Sequence, residues 1–129
     1  MIERYEPKHL QRDWGVETFI AATATYLGKI LRMRAGTKGG LQKHVQKDET
    51  FYLHEGRALV RGDNGHGGLF EVEMSSGTAY HIPAGTVHQV EAITDCVFFE
   101  CSTPVYDDRV RCEADYGLPE EGGLPTTRT

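Results

Sequence analysis

Two short stretches carry the side chains best suited to chemistry. In LQKHVQKDETFYLHEG, residues 41–56, Gln42 and His44 lie two apart and Glu49 follows. Alternate residues of a strand share a face, so Gln42 and His44 point one way while Lys43 and Val45 point the other. If Phe51 and Leu53 face a core, Glu49 shares their face, where a carboxylate is costly without a positive partner. A cation supplies that partner. An imidazole nitrogen, a carboxylate oxygen and an amide oxygen form a mixed set suited to one divalent ion among Zn, Mn, Fe, Co and Ni. The lack of thiolates argues against a closed structural zinc site. In GTAYHIPAGTVHQVEA, residues 77–92, Pro83-Ala84-Gly85 makes a tight turn and His88 opens the next strand as a fourth ligand. One His near one Glu is a weak signal. Two segments that each bring a ligand to a glycine-flanked strand start are a specific one.

The elements that must position these ligands are short strands. Fifteen glycines and five prolines cut the chain into pieces, few of which have a helical period. FIAATATYLGKILRM, residues 19–33, suits one or two strands, and AGTKGG turns the chain. Strands are predicted from Leu41, over Thr50 to Leu53, over Arg57 to Arg61, and through LFEVEM, AYHI, QVEAI and CVFFEC. Turn signals every 8–12 residues or so predict an all-β sandwich or barrel with almost no helix. Residues 1–116 form the barrel with its N-terminal strand segment. The Gly-, Pro- and Thr-rich residues 117–129 form an arm, flexible or packed.

At 129 residues the chain fits one domain. Hydrophobic residues at 39% and charged residues at 26% describe a globular chain. A net charge of −5 argues against a nucleic-acid partner. No apolar run approaches the ~20 residues needed to cross a bilayer, and the start MIERYEPKHLQRDW lacks the apolar region of a secretory signal. The cytoplasm is the expected location. Cys96, Cys101 and Cys112 lack metal-type spacing and read as small buried thiols in a reducing compartment.

The two stretches resemble the paired motifs of the cupin superfamily. Gly36, Gln42, His44, Glu49 and Gly56 match G-x5-(H/Q)-x-H-x4-E-x6-G, and Gly77, Pro83, Gly85 and His88 match G-x5-P-x-G-x2-H. Ala92 stands where many cupins have Asn. Within cupins the chain resembles the C-terminal domain of type II mannose-6-phosphate isomerases and their stand-alone relatives. The residues that carry this are DWGVE, YLGKI, LQKH with Glu49, IPAGTVHQVEA and DDRVRCEADYG. That family also has Gln at the first ligand position; it usually has Arg where this chain has Leu118, and its bifunctional members add a nucleotidyltransferase domain absent here. The resemblance implies a jelly-roll (double-stranded β-helix) barrel that forms a homodimer. It implies a divalent metal on Gln42, His44, Glu49 and His88, and aldose–ketose isomerisation of a sugar or sugar phosphate through an enediolate.

Such an isomerase needs a proton shuttle beside its metal. Glu100, in the apolar strand VFFEC, aligns with an acid in the isomerases' strand and is the leading base, with Glu49 as its catalytic partner at the metal. The alternative for Glu100 is an ion pair with an Arg of the tail. Lys29 shares a strand face with Leu31 and Met33 and is a substrate-binding candidate; Arg109 and Arg111, with Asp107 and Asp108, either shape the barrel mouth or pair with one another. His54 and His81 read as surface or satisfied polar residues. Two other functions stay open: a non-catalytic cupin that binds a carbohydrate or metabolite, and an Fe-dependent small-molecule dioxygenase.

Overall fold

The computed structural model describes residues 1–128. The described residues form eleven strands: β1 (Lys8–Arg12), β2 (Gly15–Ala22), β3 (Leu27–Met33), β4 (Gln42–His44), β5 (Glu49–Glu55), β6 (Arg57–Asp63), β7 (Leu69–Ser75), β8 (Ala79–Ile82), β9 (His88–Ala92), β10 (Cys96–Ser102) and β11 (Arg109–Arg111). The only helix among the described residues is a 3-10 turn at Glu113–Tyr116. The strands form two antiparallel sheets, one of six strands in the order β1-β2-β3-β10-β5-β8 and one of five in the order β11-β4-β9-β6-β7. This is the all-β architecture expected from the turn spacing and the jelly roll that the resemblance implied.

Alternation along the strands makes the core. Phe51 and Leu53 of β5, Phe98 of β10 and Met33 of β3 are buried between the sheets with Trp14, Val60 and Met74. Phe51 and Phe98 meet edge to face at 5.9 Å between centroids, a geometry favoured by the ring quadrupoles. Between β5 and β6 the chain reverses at Gly56, whose φ of +103° few side chains adopt; a Cβ there would lie 2.3 Å from the Asp95 carbonyl oxygen.

Two strands escape the sequence pattern. β1 (KHLQR) has no buried residue, and its pairing with β2 in a continuous register from Lys8↔Phe19 to Arg12↔Gly15 places it at the sheet edge. β11 is three residues long and joins the smaller sheet by pairing Arg109 with His44 and Arg111 with Gln42. Cys96 and Cys112 are buried as expected; Cys101 is exposed, because it lies on the outward phase of β10. The described part of the C-terminal arm packs back on the barrel: Gly123 N–H donates to Asp13 (3.0 Å), and Thr127 N–H donates to the Arg109 carbonyl (2.9 Å). Among the described residues no helix is long and apolar enough to cross a membrane.

Candidate metal centre

β4, β5 and β9 converge at one end of the space between the sheets. Gln42 of β4 pairs in register with His88 of β9. The Pro83–Gly85 turn before β9 is tied to β4, with Gly85 N–H donating to the His44 carbonyl at 2.7 Å. Short range thus fixes each ligand, and this hydrogen bond joins the two ligand-bearing segments. His44, Glu49 and His88 are buried, and their ligand atoms all lie within 4.8 Å of one another. Gln42 lines the same cavity, of about 130 Å³.

The orientation of the two imidazoles is set from behind. His44 Nδ1 donates to Asp108 Oδ1 at 3.1 Å, and His88 Nδ1 donates to the Thr86 carbonyl at 2.9 Å. Both acceptors lack hydrogens, so each Nδ1 carries the proton and each Nε2 presents its other face to Glu49. Nε2 of His88 lies 3.1 Å from Glu49 Oε1, and Nε2 of His44 lies 4.0 Å from Glu49 Oε2. Asp108 is itself fixed, accepting the backbone N–H groups of Gln46 and Lys47 at 2.8 Å each.

Electrostatics in this cluster pull against one another. Burial disfavours the Glu49 carboxylate, yet the His88 hydrogen bond and the Lys47 ammonium override it and hold its pKa far below the ordinary value. Burial also disfavours a charged His88, but Glu49 wins and raises its pKa. His44 is held below its ordinary value by burial and then by Lys47, against the opposing pull of Glu49 and Asp108. Without an ion, Glu49 holds His88 toward imidazolium. A divalent cation would take the place of that proton, because two Nε2 lone pairs and a carboxylate then converge on it. The donor set fits such an ion, with Gln42 as a neutral oxygen beside it.

The opposite wall is a row of alternating charges. Lys47, which the sequence reading passed over, is buried and reaches Glu49 Oε2 at 3.0 Å and Glu100 Oε2 at 3.4 Å. Glu100 also meets Lys29 at 3.5 Å, its cross-strand neighbour in β10 and β3. Lys29 meets Glu17 at 3.0 Å, and Glu17 meets Arg12 at 2.7 Å. The partners of Glu100 are therefore two lysines, not an arginine of the tail. Lys47 lies in the loop between β4 and β5, outside the strand alternation, so no strand pattern announced its inward direction. The pairing of Asp108 with His44 spans 64 residues, and no local pattern announces it.

The remaining candidates divide. Lys29, Glu100 and Arg109 line the cavity with Gly123 and Leu124 of the arm. Arg111 is not among the lining residues: it is bonded to Glu113 and donates to the Gly122 and Leu124 carbonyls at 2.8 and 3.2 Å. It holds the arm. Asp107 is exposed. His81 pairs with Asp48 at 2.6 Å in solvent, and His54 stacks on Phe99 at 4.8 Å on the outer face of the larger sheet.

Comparison with known proteins bears on the fold and the family. An uncharacterised protein of Methanocaldococcus jannaschii is 34% identical over 73 residues, 55% of this chain; the chain spans only 54% of that relative. The capsular polysaccharide assembling protein CapF of Staphylococcus aureus superposes with a TM-score of 0.72 at 21% identity, over 84% of this chain and 34% of that one. KdgF of Halomonas sp. gives 0.62 at 20% identity, over 71% of this chain and 80% of that one. Oxalate decarboxylase of Bacillus subtilis, an enzyme with Mn(II) centres, gives 0.69 at 15% identity, over 88% of this chain and 35% of that one. At these identities the superpositions speak for the fold alone. The cupin-domain family profile matches residues 29–101, from the cavity lysine of β3 through both ligand segments to the strand of Glu100. That span is more than half of the 129 residues, and the chain belongs to the cupin domain family.

Proposed function

We propose that this cupin is a metal-dependent isomerase or epimerase that moves a proton between adjacent carbons of a sugar or sugar phosphate, in the manner of the mannose-6-phosphate isomerases it resembles. The observation that carries this reading is the shared cavity: the two imidazoles and Glu49 converge on one side, and the Glu100 carboxylate stands among buried lysines on the other. A divalent ion held by Gln42, His44, Glu49 and His88 supplies polarisation of neighbouring carbonyl and hydroxyl oxygens. Asp108 and the Thr86 carbonyl hold the imidazoles in the orientation that binding requires. Lys29 and Lys47 fix the Glu100 carboxylate in place, and their ammonium N–H groups are donors for oxygen that gains negative charge. Glu100 removes the proton from the carbon next to the carbonyl and returns it to its neighbour. The core aromatics Phe51 and Phe98 close the cavity floor against water.

Glu100→Gln is expected to keep metal and fold while lowering turnover by at least about 10²-fold, the low end for losing a general base. Deuterium from solvent is expected in the sugar during wild-type turnover, read by NMR across a panel of aldoses and their phosphates. Wild-type turnover in Glu100→Gln would move the base elsewhere. A second reading, an Fe-dependent dioxygenase, draws on the donors themselves, since two histidines and one carboxylate also suit oxygen-activating iron. Oxygen uptake by the Fe(II)-loaded protein, with no proton exchange into any sugar, would favour it.

A further inference from the structure

The cations of the cavity are not equivalent. Lys29 is met by Glu17 at 3.0 Å and Glu100 at 3.5 Å, and Lys47 by Glu49 at 3.0 Å and Glu100 at 3.4 Å. Arg109 lines the same cavity with no carboxylate in ion-pair contact among the described residues. Its Nη1 donates to the Pro125 carbonyl at 3.3 Å, and its Nε is buried with no hydrogen-bond partner. Burial disfavours its charge, yet a guanidinium stays protonated, so a cation that no carboxylate among the described residues meets lies in the cavity lining. Its backbone is fixed opposite His44 in the β4–β11 register, and Thr127 of the arm brackets it. The group is therefore held in place with no carboxylate partner among the described residues.

Counting charges gives the same direction. Glu17, Glu49 and Glu100 balance Lys29, Lys47 and Arg109 along the cavity, so a divalent ion leaves an excess of positive charge for a ligand to meet. A planar carboxylate matches the fork of a single guanidinium. A phosphate dianion would call for a second cation whose charge no carboxylate meets, and the charge of both lysines is met by carboxylates, which leaves each only an N–H to offer a neutral or partly charged oxygen.

We propose that Arg109 is a specificity-determining residue that binds a carboxylate of the ligand, so that the cavity takes a sugar acid in preference to a neutral sugar. The sugar part of that ligand rests on the isomerase reading; the anion site stands on Arg109 alone.

Isothermal titration of the metal-loaded protein with D-glucuronate, D-glucose and D-glucose 6-phosphate at matched ionic strength tests it, because equilibrium binding needs no turnover. Glucuronate is expected to bind wild type at least about 10-fold more tightly than glucose, and Arg109→Gln to shrink the ratio below about 2-fold with unchanged metal content. Arg109→Lys is expected to fall between, since an ammonium keeps the charge and loses the fork. The Arg109 Nε–H resonance of the wild-type protein gives a second readout that does not depend on a variant folding, and is expected to shift with glucuronate and not with glucose. Equal binding of the two sugars by wild type, a preference that survives Arg109→Gln, or an unmoved Nε–H resonance would each overturn the proposal. A larger, Arg109-dependent preference for glucose 6-phosphate would overturn the carboxylate assignment. An Arg109-dependent preference without proton exchange would remove the isomerase reading and leave the anion site standing.

Discussion

The two walls of the cavity solve opposite problems. On one wall His44, Glu49 and His88 bring three electron-pair donors within 4.8 Å, and Asp108 and Thr86 hold the imidazoles in that crowded arrangement. On the other, Glu100, Lys29, Glu17 and Arg12 alternate in sign, each meeting an opposite charge. The first wall is suited to an ion from outside the chain, whereas each charge of the second meets an opposite charge within it. Lys47 belongs to both, since its ammonium touches a ligand carboxylate and the proposed base. Converging lone pairs and a carboxylate suit a binding centre, and the alternating charges beside it hold the proposed base Glu100 in position.

The sharpest way to break this contrast is to remove donors from the first wall. His44→Ala with His88→Ala is expected to abolish stoichiometric metal, because each residue contributes one of the two nitrogen donors. Elemental analysis of purified wild type and double mutant reads it, and equal metal in both would refute the assignment. A smaller effect is expected one step back. Asp108→Asn keeps the shape but weakens the acceptor that orients His44, and metal affinity is expected to fall about 10–100-fold. Chelator competition measures this; an unchanged affinity would leave Asp108 a role in the loop at Gln46 and Lys47 only.

The two walls also differ in how much of them could be read in advance. The ligands were legible because strand alternation and turn chemistry are local: Gln42 and His44 share a phase, Glu49 shares one with Phe51 and Leu53, and Pro83-Ala84-Gly85 announces the start of β9. The all-β sandwich or barrel followed from the same local signals, and the resemblance narrowed it to a jelly roll. β1 did not, because an edge strand that buries nothing has no apolar phase to show. The Glu17–Lys29–Glu100 row is long-range, made by pairing β2 with β3 and β3 with β10. Lys29 and Glu100 were each readable as inward residues, but their partners depend on strand order. Arg109 and Arg111 lie two apart in β11 and were read alike; their partners separate them, since Glu113 takes Arg111 and no carboxylate among the described residues takes Arg109.

The smallest effect is expected on the second wall, and it concerns stability. Burial raises the pKa of Glu17, but Lys29 and Arg12 overcome it and hold the folded value below the ordinary 4.5. A carboxylate whose folded pKa is depressed contributes stability that is full above its unfolded pKa and is lost as pH falls through the folded one. Glu17→Gln is therefore expected to destabilise the protein near neutrality by about 1.5–3 kcal/mol, the usual range for hydrogen bonds to a charged group. Lys29 keeps Glu100 as a partner, which limits the loss. Urea melts of metal-free wild type and Glu17→Gln at a series of pH values test the sign. The gap between them is expected to be widest above about pH 6, to narrow as pH falls below the ordinary 4.5, and to close only below the depressed folded value, where Glu17 is protonated in both states. A gap that stayed constant with pH would mean that Glu17 stabilises the sheet through packing. The alternating wall would then owe its order to the strands and not to its charges.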